Sequence, residues 1–332
     1  MSGVRVLALT ADGAEEHSIA DVAALLMREE VLIWVDIPEC SDEAVALLTD
    51  VLELHPLAVR DCLQRNRVPR VRIYQHQQLL ILHGPERGPS GHVHYIELDQ
   101  IIGEKYVVTV HGPINPAVDP DVALRETSAV RRRIESGRLR PRTPIELSYA
   151  IVSALTHRLE QFIEDLTRDV WMLEQRVTGG HMGNPEEFLE ELFQARHGLL
   201  AARTMGALGA EVYGRLATLG NRLPHAEVDL PLVNDVVDQL NRIRGLADGE
   251  REYLQGVIEF YRARAETKMT IAAERLAVIA VVTLPITALS SIYGMNIIVN
   301  DRTHVSALIG VLAVMVIMSV LLLTWAKRRG WW

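Results

Sequence analysis

Two long apolar segments near the carboxyl end constrain this chain more than any other feature of its sequence. Residues 276–293 and residues 305–325 contain no charged side chain. Each segment is about as long as an α-helix must be to cross the roughly 30 Å hydrocarbon core of a bilayer. The alternative is a buried helical hairpin in a soluble protein, but core helices are usually shorter. The sequence therefore predicts two membrane-spanning helices.

Basic residues indicate how these helices cross the membrane. They flank both apolar segments on one side: Arg262, Arg264, Lys268 and Arg275 precede the first, and Lys327, Arg328 and Arg329 follow the second. Positive charge is retained on the cytoplasmic side of a membrane. Residues 1–10 contain too short an apolar stretch for a signal peptide. We therefore expect a multi-pass protein of the plasma or inner membrane, with both termini in the cytoplasm and residues 297–304 outside.

Charge and cysteine content argue against several classes of function. The net charge is −9 although the membrane flanks are basic, so the remainder of the chain is strongly acidic. Such a chain attracts cations and disfavours nucleic acid as a partner. Cys40 and Cys62 lack the spacing of a zinc site and are expected to be reduced thiols. The sequence shows no Ser/His/Asp, phosphate-loop or HExxH arrangement, which argues against an enzyme and against transport driven by ATP.

Residues 1–142 have the pattern of an α/β domain, expected in the cytoplasm. Short β-rich runs alternate with helical stretches, and the runs are residues 4–9, 31–36, 79–83, 93–102 and 106–111. Ser41 and Pro56 stand at typical helix starts.

Residues 143–293 have the pattern of long helices. Thr143, Pro144 and Glu146 form a helix start, and that helix is expected to end at residue 177 before Gly179 and Gly180. A second helix, residues 185–219, must run antiparallel to the first because the connection is short. These two form a cytoplasmic helical region, residues 143–224. A stalk helix, residues 225–293, continues into the first membrane span from about residue 276, followed by an external segment (294–304), the second span (305–325) and a basic tail (326–332).

A short motif between the two predicted spans identifies a family resemblance. Tyr293-Gly294-Met295-Asn296 at the outer end of the first span, followed by a short loop and a basic tail, resembles the CorA family of divalent metal ion transporters. Further landmarks occur in the order usual for that family: Trp34-Val35-Asp36, His55-Pro56-Leu57-Ala58 with Asp61, Arg70-Val71 before Tyr74, and residues 103–111. The resemblance covers nearly the whole chain.

The resemblance implies a funnel-shaped homopentamer in which the first membrane helices line one pore. Gly294, Met295 and Asn296 would form the ion filter, and the family's pore face maps onto Ser291, Thr287, Leu284, Ala280, Leu276, Ala273, Thr270, Glu266 and Glu259. The residues agree with this arrangement, because small and hydroxyl side chains recur along the first span while the second is almost wholly apolar. Dry helix packing is the alternative explanation for such a stripe.

The chemistry of Mg²⁺ fits a neutral filter. Mg²⁺ dehydrates reluctantly, so a pore that must release it should contact the hydrated ion through neutral acceptors. Asn296 amide oxygens and Gly294 carbonyls would supply these acceptors. Leu276 and Leu284 would form apolar constrictions that exclude water and stop the ion.

Two acids on the predicted stalk helix resemble the family's metal-sensing segment. Asp235 and Asp238 lie three residues apart on one helical face. The resemblance implies that bound Mg²⁺ bridges them to an acid of the neighbouring subunit, for which Glu86 is a candidate, and holds the channel closed. Solvated surface carboxylates are the alternative.

The sequence therefore predicts a gradient-driven divalent cation channel, with Mg²⁺ as transported and regulatory ion and with Co²⁺, Ni²⁺ or Zn²⁺ as further candidates. One alternative is a zinc transporter similar to ZntB, which shares the Gly-Met-Asn motif. Zinc favours His and Cys ligands, and the predicted pore face offers none. An alternative of another class is a membrane-tethered sensor that does not conduct.

Overall fold

One mixed sheet forms the centre of the amino-terminal region. The computed structural model describes residues 3–74, 76–180, 183–220, 229–294 and 305–328. The strands in these ranges are β1 (Arg5–Leu9), β2 (Ala14–His17), β3 (Leu32–Ile37), β4 (Arg70–Ile73), β5 (Gln78–Arg87), β6 (Val93–Ile102) and β7 (Tyr106–Val110). Their order is β2-β1-β3-β7-β6-β5-β4. The β3 and β7 pair is parallel, and the other neighbouring pairs are antiparallel.

Helices cover both faces of the sheet. One face packs against α1 (Val22–Leu26), α2 (Asp42–Ala46) with the π-helical turn Leu47–Val51 that follows it, and α3 (Pro56–Leu63). The other face packs against α5 (Arg125–Glu135), which follows the short α4 (Pro120–Ala123), and against the start of α6 (Pro144–Gly179). Alternation along β3 explains the two cores, because Ile33 and Val35 point to the first face and Trp34 to the second.

Three further long helices follow α6. They are α7 (Pro185–Gly220), α8 (Leu230–Gly294) and α9 (Val305–Arg328). The Thr143 hydroxyl accepts a hydrogen bond from the Glu146 N–H at 3.2 Å, and the Glu146 carboxylate accepts from the Arg142 N–H at 2.6 Å. Gly180 ends α6 in the left-handed conformation with φ of 79°, which glycine adopts without strain. The ends expected for α6 and α7 are confirmed within two residues, and α8 begins at Leu230, five residues after the start of the expected stalk segment.

Side-chain contacts set the directions of the cytoplasmic helices. Four hydrogen bonds or ion pairs join α6 to α8 in the same order along both helices: Tyr149 with Asp235, Thr156 with Gln239, Glu160 with Arg242, and Glu174 with Tyr253. The two helices therefore run parallel. Helix α7 runs antiparallel to α6, since Arg176 near the end of α6 pairs with Glu191 near the start of α7.

Contacts within the chain define two compact units that divide at Val257 and Ile258, inside α8. The first unit contains the sheet together with α6 and α7, so the boundary expected near residue 142 separates elements of one unit. Two helical segments are long and apolar enough to cross a membrane. One lies in the part of α8 that ends at Ile292, and the other is Ile309–Arg328 in α9.

Two strands were not predicted from the sequence. β2 has the sequence Ala-Glu-Glu-His, and β4 has the sequence Arg-Val-Arg-Ile. Both are four-residue edge strands. Charged residues are common on edge strands because they discourage pairing with other chains. The five strands expected from apolar runs are confirmed, with β5 extending to Arg87.

Candidate ion pathway

The residues predicted to line the pore lie on one face of α8. They are Glu259, Glu266, Thr270, Ala273, Leu276, Ala280, Leu284, Thr287 and Ser291, and all nine are exposed in the single chain. Neighbours in this set are three, four or seven residues apart, which places them on one side of a helix that turns about 100° per residue. Leu276 and Leu284, the predicted constrictions, are 66% and 67% exposed. The chain therefore leaves this face uncovered.

A different face of α8 is covered within the carboxyl-terminal unit. From residue 276 to residue 292, the partly or fully covered residues of α8 are Val278, Val281, Val282, Pro285, Ile286 and Leu289. The matching stripe on α9 is Val311, Met315, Met318, Ser319, Leu322, Leu323 and Ala326. We infer that these stripes pack on each other, because α9 is the other described helix of this unit. At about 100° per residue the covered face of α8 lies nearly opposite the predicted pore face.

Threonine hydroxyl groups on the uncovered face donate hydrogen bonds to backbone carbonyl groups of α8. Thr287 donates to the Thr283 carbonyl at 2.8 Å, and Thr270 donates to the Glu266 carbonyl at 3.0 Å. Each hydroxyl oxygen thus keeps lone pairs that accept hydrogen bonds from other groups. A hydrated cation presents water hydrogens outward, so these oxygens are suitable for contact with its hydration shell. Pro285 has no N–H for the i−4 carbonyl, which is that of Val281.

The structure describes one residue of the predicted filter. Gly294 is the last residue of α8. Met295 and Asn296, the external loop (residues 297–304) and the tail from Arg329 lie outside the described residues.

Asp235, a predicted sensor residue, is held on α8 by two donors. Its Oδ2 accepts hydrogen bonds from the Tyr149 hydroxyl at 2.7 Å and from the Gln239 amide at 2.6 Å. The Thr156 hydroxyl in turn donates to Gln239 at 2.8 Å. The hydrogen bond to Asp235, together with partial burial, raises the pKa of Tyr149. Asp238 is exposed on the same helix.

Glu86, the predicted partner acid, is engaged elsewhere. Its carboxylate lies 2.8 Å from the buried Arg158 guanidinium and 3.5 Å from Arg125. The single chain therefore does not bring Glu86 together with Asp235 or Asp238. Among the described residues, no group of three or more His, Cys, Asp or Glu side chains is placed to hold a metal ion.

Comparison with known proteins decides the family. The sequence profile described as "CorA-like Mg2+ transporter protein" matches residues 29–328. The chain belongs to the CorA family. It is therefore a membrane protein of a family of metal ion transporters, as the motif at Gly294 indicated.

Individual CorA relatives match over almost their full length. The cobalt/magnesium transport protein CorA of Thermotoga maritima is 23% identical over 336 residues, which cover 99% of this chain and 92% of the relative. The complete structure of the CorA magnesium transporter from Methanocaldococcus jannaschii superimposes with a TM-score of 0.80 at 17% identity, covering 100% of this chain and 99% of that one. The predicted fold class, an α/β domain followed by long helices and two carboxyl-terminal apolar helices, is confirmed.

A ZntB domain has a related fold. The cytoplasmic domain of ZntB from Vibrio parahaemolyticus superimposes with a TM-score of 0.61 at 10% identity, covering 80% of this chain and 100% of that domain.

The CorA landmark Trp34-Val35-Asp36 forms a buried polar cluster on the sheet. Asp36 accepts hydrogen bonds from the Thr109 hydroxyl at 2.6 Å and from His111 Nε2 at 2.8 Å. The Trp34 indole donates to Thr109 at 3.0 Å. Burial opposes the ionised form of Asp36, but the charge and hydrogen bond of His111 and the Thr109 hydroxyl outweigh burial, so the pKa of Asp36 is lowered.

Proposed function

We propose that this CorA-family protein is a gradient-driven divalent cation channel, with Mg²⁺ as its main ion, that works as a funnel-shaped homopentamer. The observation that carries the proposal is the uncovered face of α8, which lies nearly opposite the stripe covered in the single chain. A helix with one face packed on its own chain and another open suits a ring of subunits around a pore. The proposal keeps the segment boundaries expected from the sequence, which follow residues 142, 224, 293, 304 and 325. It also places both termini in the cytoplasm.

The filter of the proposed channel is Gly294, Met295 and Asn296. Five Asn296 amide oxygens and the Gly294 carbonyls would accept hydrogen bonds from the water around Mg²⁺ without stripping it. Below the filter, Ser291, Thr287 and Thr270 would continue the polar path.

The gate of the proposed channel is apolar. Rings of Leu276 and Leu284 would narrow the pore where the single chain leaves both side chains exposed. A narrow passage lined by leucine excludes water, and a hydrated divalent ion does not cross a dry gap.

The sensor of the proposed channel contains Asp235 and Asp238. Tyr149 and Gln239 both donate to Oδ2 of Asp235, so Oδ1 would be the oxygen that contacts the metal. Mg²⁺ bound between subunits would offset like charges and favour the closed state. Glu86 serves as the partner acid only if it leaves Arg158 and Arg125, so it is the weakest member of the set.

Zinc transport is the second candidate function. The fold shared with the ZntB cytoplasmic domain favours it, and the absence of His and Cys from the nine proposed pore residues opposes it. Co²⁺ and Ni²⁺ fit a filter that contacts the hydrated ion. A non-conducting membrane sensor would share the fold and show no flux.

Ion flux into liposomes that contain the purified full-length protein tests the proposal. Mg²⁺ and Co²⁺ should enter down their gradients without ATP, and Asn296→Ala should reduce their entry by about tenfold or more, because the ring of amide acceptors is lost. Asn300→Ala is the matched control, since it removes an asparagine from the same external segment outside the motif.

The possible results separate the candidates. Selective Zn²⁺ entry would favour the zinc transporter, and no flux of any ion would favour the non-conducting sensor. Undiminished Mg²⁺ entry through a correctly assembled Asn296→Ala protein would remove Asn296 from the filter.

A further inference from the structure

Two carboxyl groups lie side by side on the sheet face covered by α1, α2 and α3. Glu97 and Asp99 are two residues apart on β6 and therefore point to the same side. Asp99 is fully buried and Glu97 is 6% exposed. Each carboxyl group affects the ionisation of the other, and the charge of Glu97 raises the pKa of Asp99 after burial, which is the larger cause. Two like charges side by side in a buried site disfavour ionisation of both groups, so one of them keeps its proton.

The surrounding donors show which carboxyl group carries the proton. Glu97 accepts from the Asn66 backbone N–H at 2.8 Å and from the Asn66 amide at 2.6 Å. Among the described residues, no N–H or O–H group donates to either oxygen of Asp99. Glu97 is therefore the carboxylate, and Asp99 is the neutral acid beside it. Burial, followed by the charge of Glu97, raises the pKa of Asp99 well above its usual range.

The pair holds the α3–β4 loop, residues 64–69, through Asn66. Besides its bonds to Glu97, Asn66 offers its carbonyl to His83 Nε2 at 2.7 Å. Burial lowers the pKa of His83, so this histidine is neutral and places its one N–H on Nε2. The loop is thus fixed to β5 and β6 by two side chains, one of which is Glu97.

Other titratable groups around the pair carry both signs of charge. They are Cys40 from the β3–α2 connection, Asp61 and Cys62 from α3, Arg65 from the α3–β4 loop, Arg70 and Arg72 from β4, and His83 from β5. Asp61 is already paired with Arg72 at 2.6 Å. Arg70 favours ionisation of Asp99, and Asp61 opposes it. At Asp99, burial and the charge of Glu97 outweigh the attraction of Arg70, so a second negative charge is disfavoured.

We propose that Glu97 and Asp99 form a proton-operated lock on the α3–β4 loop. While Asp99 keeps its proton, the pair carries one negative charge and Asn66 stays bound. When that proton passes to the solvent, two buried carboxylates face each other. The loop then opens and admits water to Glu97, which relieves the repulsion.

Hydrogen exchange of the full-length protein in lipid nanodiscs, followed by mass spectrometry between pH 6 and pH 9, tests the lock. An opening linked to release of one proton becomes about tenfold more frequent per pH unit until Asp99 titrates in the closed state. We expect this slope for the amides of residues 64–68 after correction for intrinsic exchange. Asp99→Asn should abolish the slope, because an amide keeps the size and the neutral charge of the protonated acid and does not titrate. Glu104→Gln, an exposed acid-to-amide change after β6, should keep it.

Two results would overturn the lock. One is a flat pH profile in the wild type, and the other is an unchanged slope in Asp99→Asn. Infrared spectroscopy of the wild-type protein provides a second measurement if Asp99→Asn does not fold. A protonated carboxyl band should be present at pH 7 and disappear at high pH, and a wild-type spectrum without that band would contradict the proposal.

Discussion

Buried acids on opposite faces of the sheet have opposite charge states. Asp36 accepts from Thr109 and His111, so donors stabilise its ionised form. Asp99 has no such donor among the described residues and keeps its proton. Both are aspartates on sheet strands with little exposure. The arrangement of hydrogen-bond donors, rather than burial alone, therefore decides which acid is charged.

Asp36 should make the stability of the α/β domain depend on pH in the acid range. Its folded-state pKa is lowered, so its contribution is present above the unfolded pKa of about 4 and is lost as pH falls through the lower folded value. Asp36→Asn should cost about 2 kcal/mol at pH 7, which is typical for a hydrogen bond to a charged group. Thermal unfolding followed by tryptophan fluorescence measures this cost, and Trp34 lies beside the site. The difference between wild type and mutant should shrink below pH 4. A difference that stays constant down to pH 2 would show that the charge of Asp36 is not its cause.

At the scale of elements, α7 and α8 approach closely at a glycine. A Cβ atom built on Gly206 would lie 3.0 Å from the Leu240 carbonyl oxygen and 3.2 Å from the Arg244 nitrogen. Both are backbone atoms of α8, which move only if the helix moves. Glycine otherwise weakens a helix by roughly 1 kcal/mol relative to alanine. Gly206 therefore lowers the stability of α7 as a helix but allows α7 and α8 to pack more closely.

A matched pair of glycine substitutions on α7 tests this close approach. A Cβ atom added at Gly214 would meet no neighbouring side chain or helix within 4 Å, so Gly214→Ala should raise stability by up to about 1 kcal/mol. Gly206→Ala gains the same helix propensity but must displace α8, and overpacking typically costs about 1–3 kcal/mol. We expect a lower unfolding temperature for Gly206→Ala and a higher one for Gly214→Ala. Equal stabilisation by both substitutions would show that α8 can shift away from residue 206 without a loss of free energy of unfolding.

At the scale of the whole molecule, the proposed sensor should control how readily the cytoplasmic region opens. Replacing Asp235 and Asp238 with Asn removes two charges per subunit and keeps side-chain size. Millimolar Mg²⁺ should protect the wild-type cytoplasmic region from protease, because bridged subunits open less often. The double mutant should be protected much less by Mg²⁺. Glu250→Gln with Glu252→Gln removes the same charge from α8 and should retain the wild-type response.

The behaviour in EDTA distinguishes two roles for these aspartates. If they only repel one another, the double mutant in EDTA should be more resistant to protease than the wild type. If they bind metal, its digestion should not change with Mg²⁺. Equal Mg²⁺ protection of wild type and double mutant would show that both are solvated surface charges.

The amino-acid sequence by itself determined the elements whose signals are local. The uncharged segments, the helix start at Thr143 and the Gly-Met-Asn motif each depend on adjacent or regularly spaced residues, and the long helices and apolar strands follow from them. The predicted pore face also depends on spacing along one helix, although its role stays a prediction.

The tertiary structure decided what depends on residues far apart in the sequence. The β2 and β4 strands exist because their neighbours provide hydrogen bonds, and Tyr149 reaches Asp235 because α6 and α8 run side by side. The pairing of Glu86 with Arg158 and the raised pKa of Asp99 beside Glu97 have the same origin. The charge state of a buried acid is set by the donors packed around it, and no local sequence pattern contains that information.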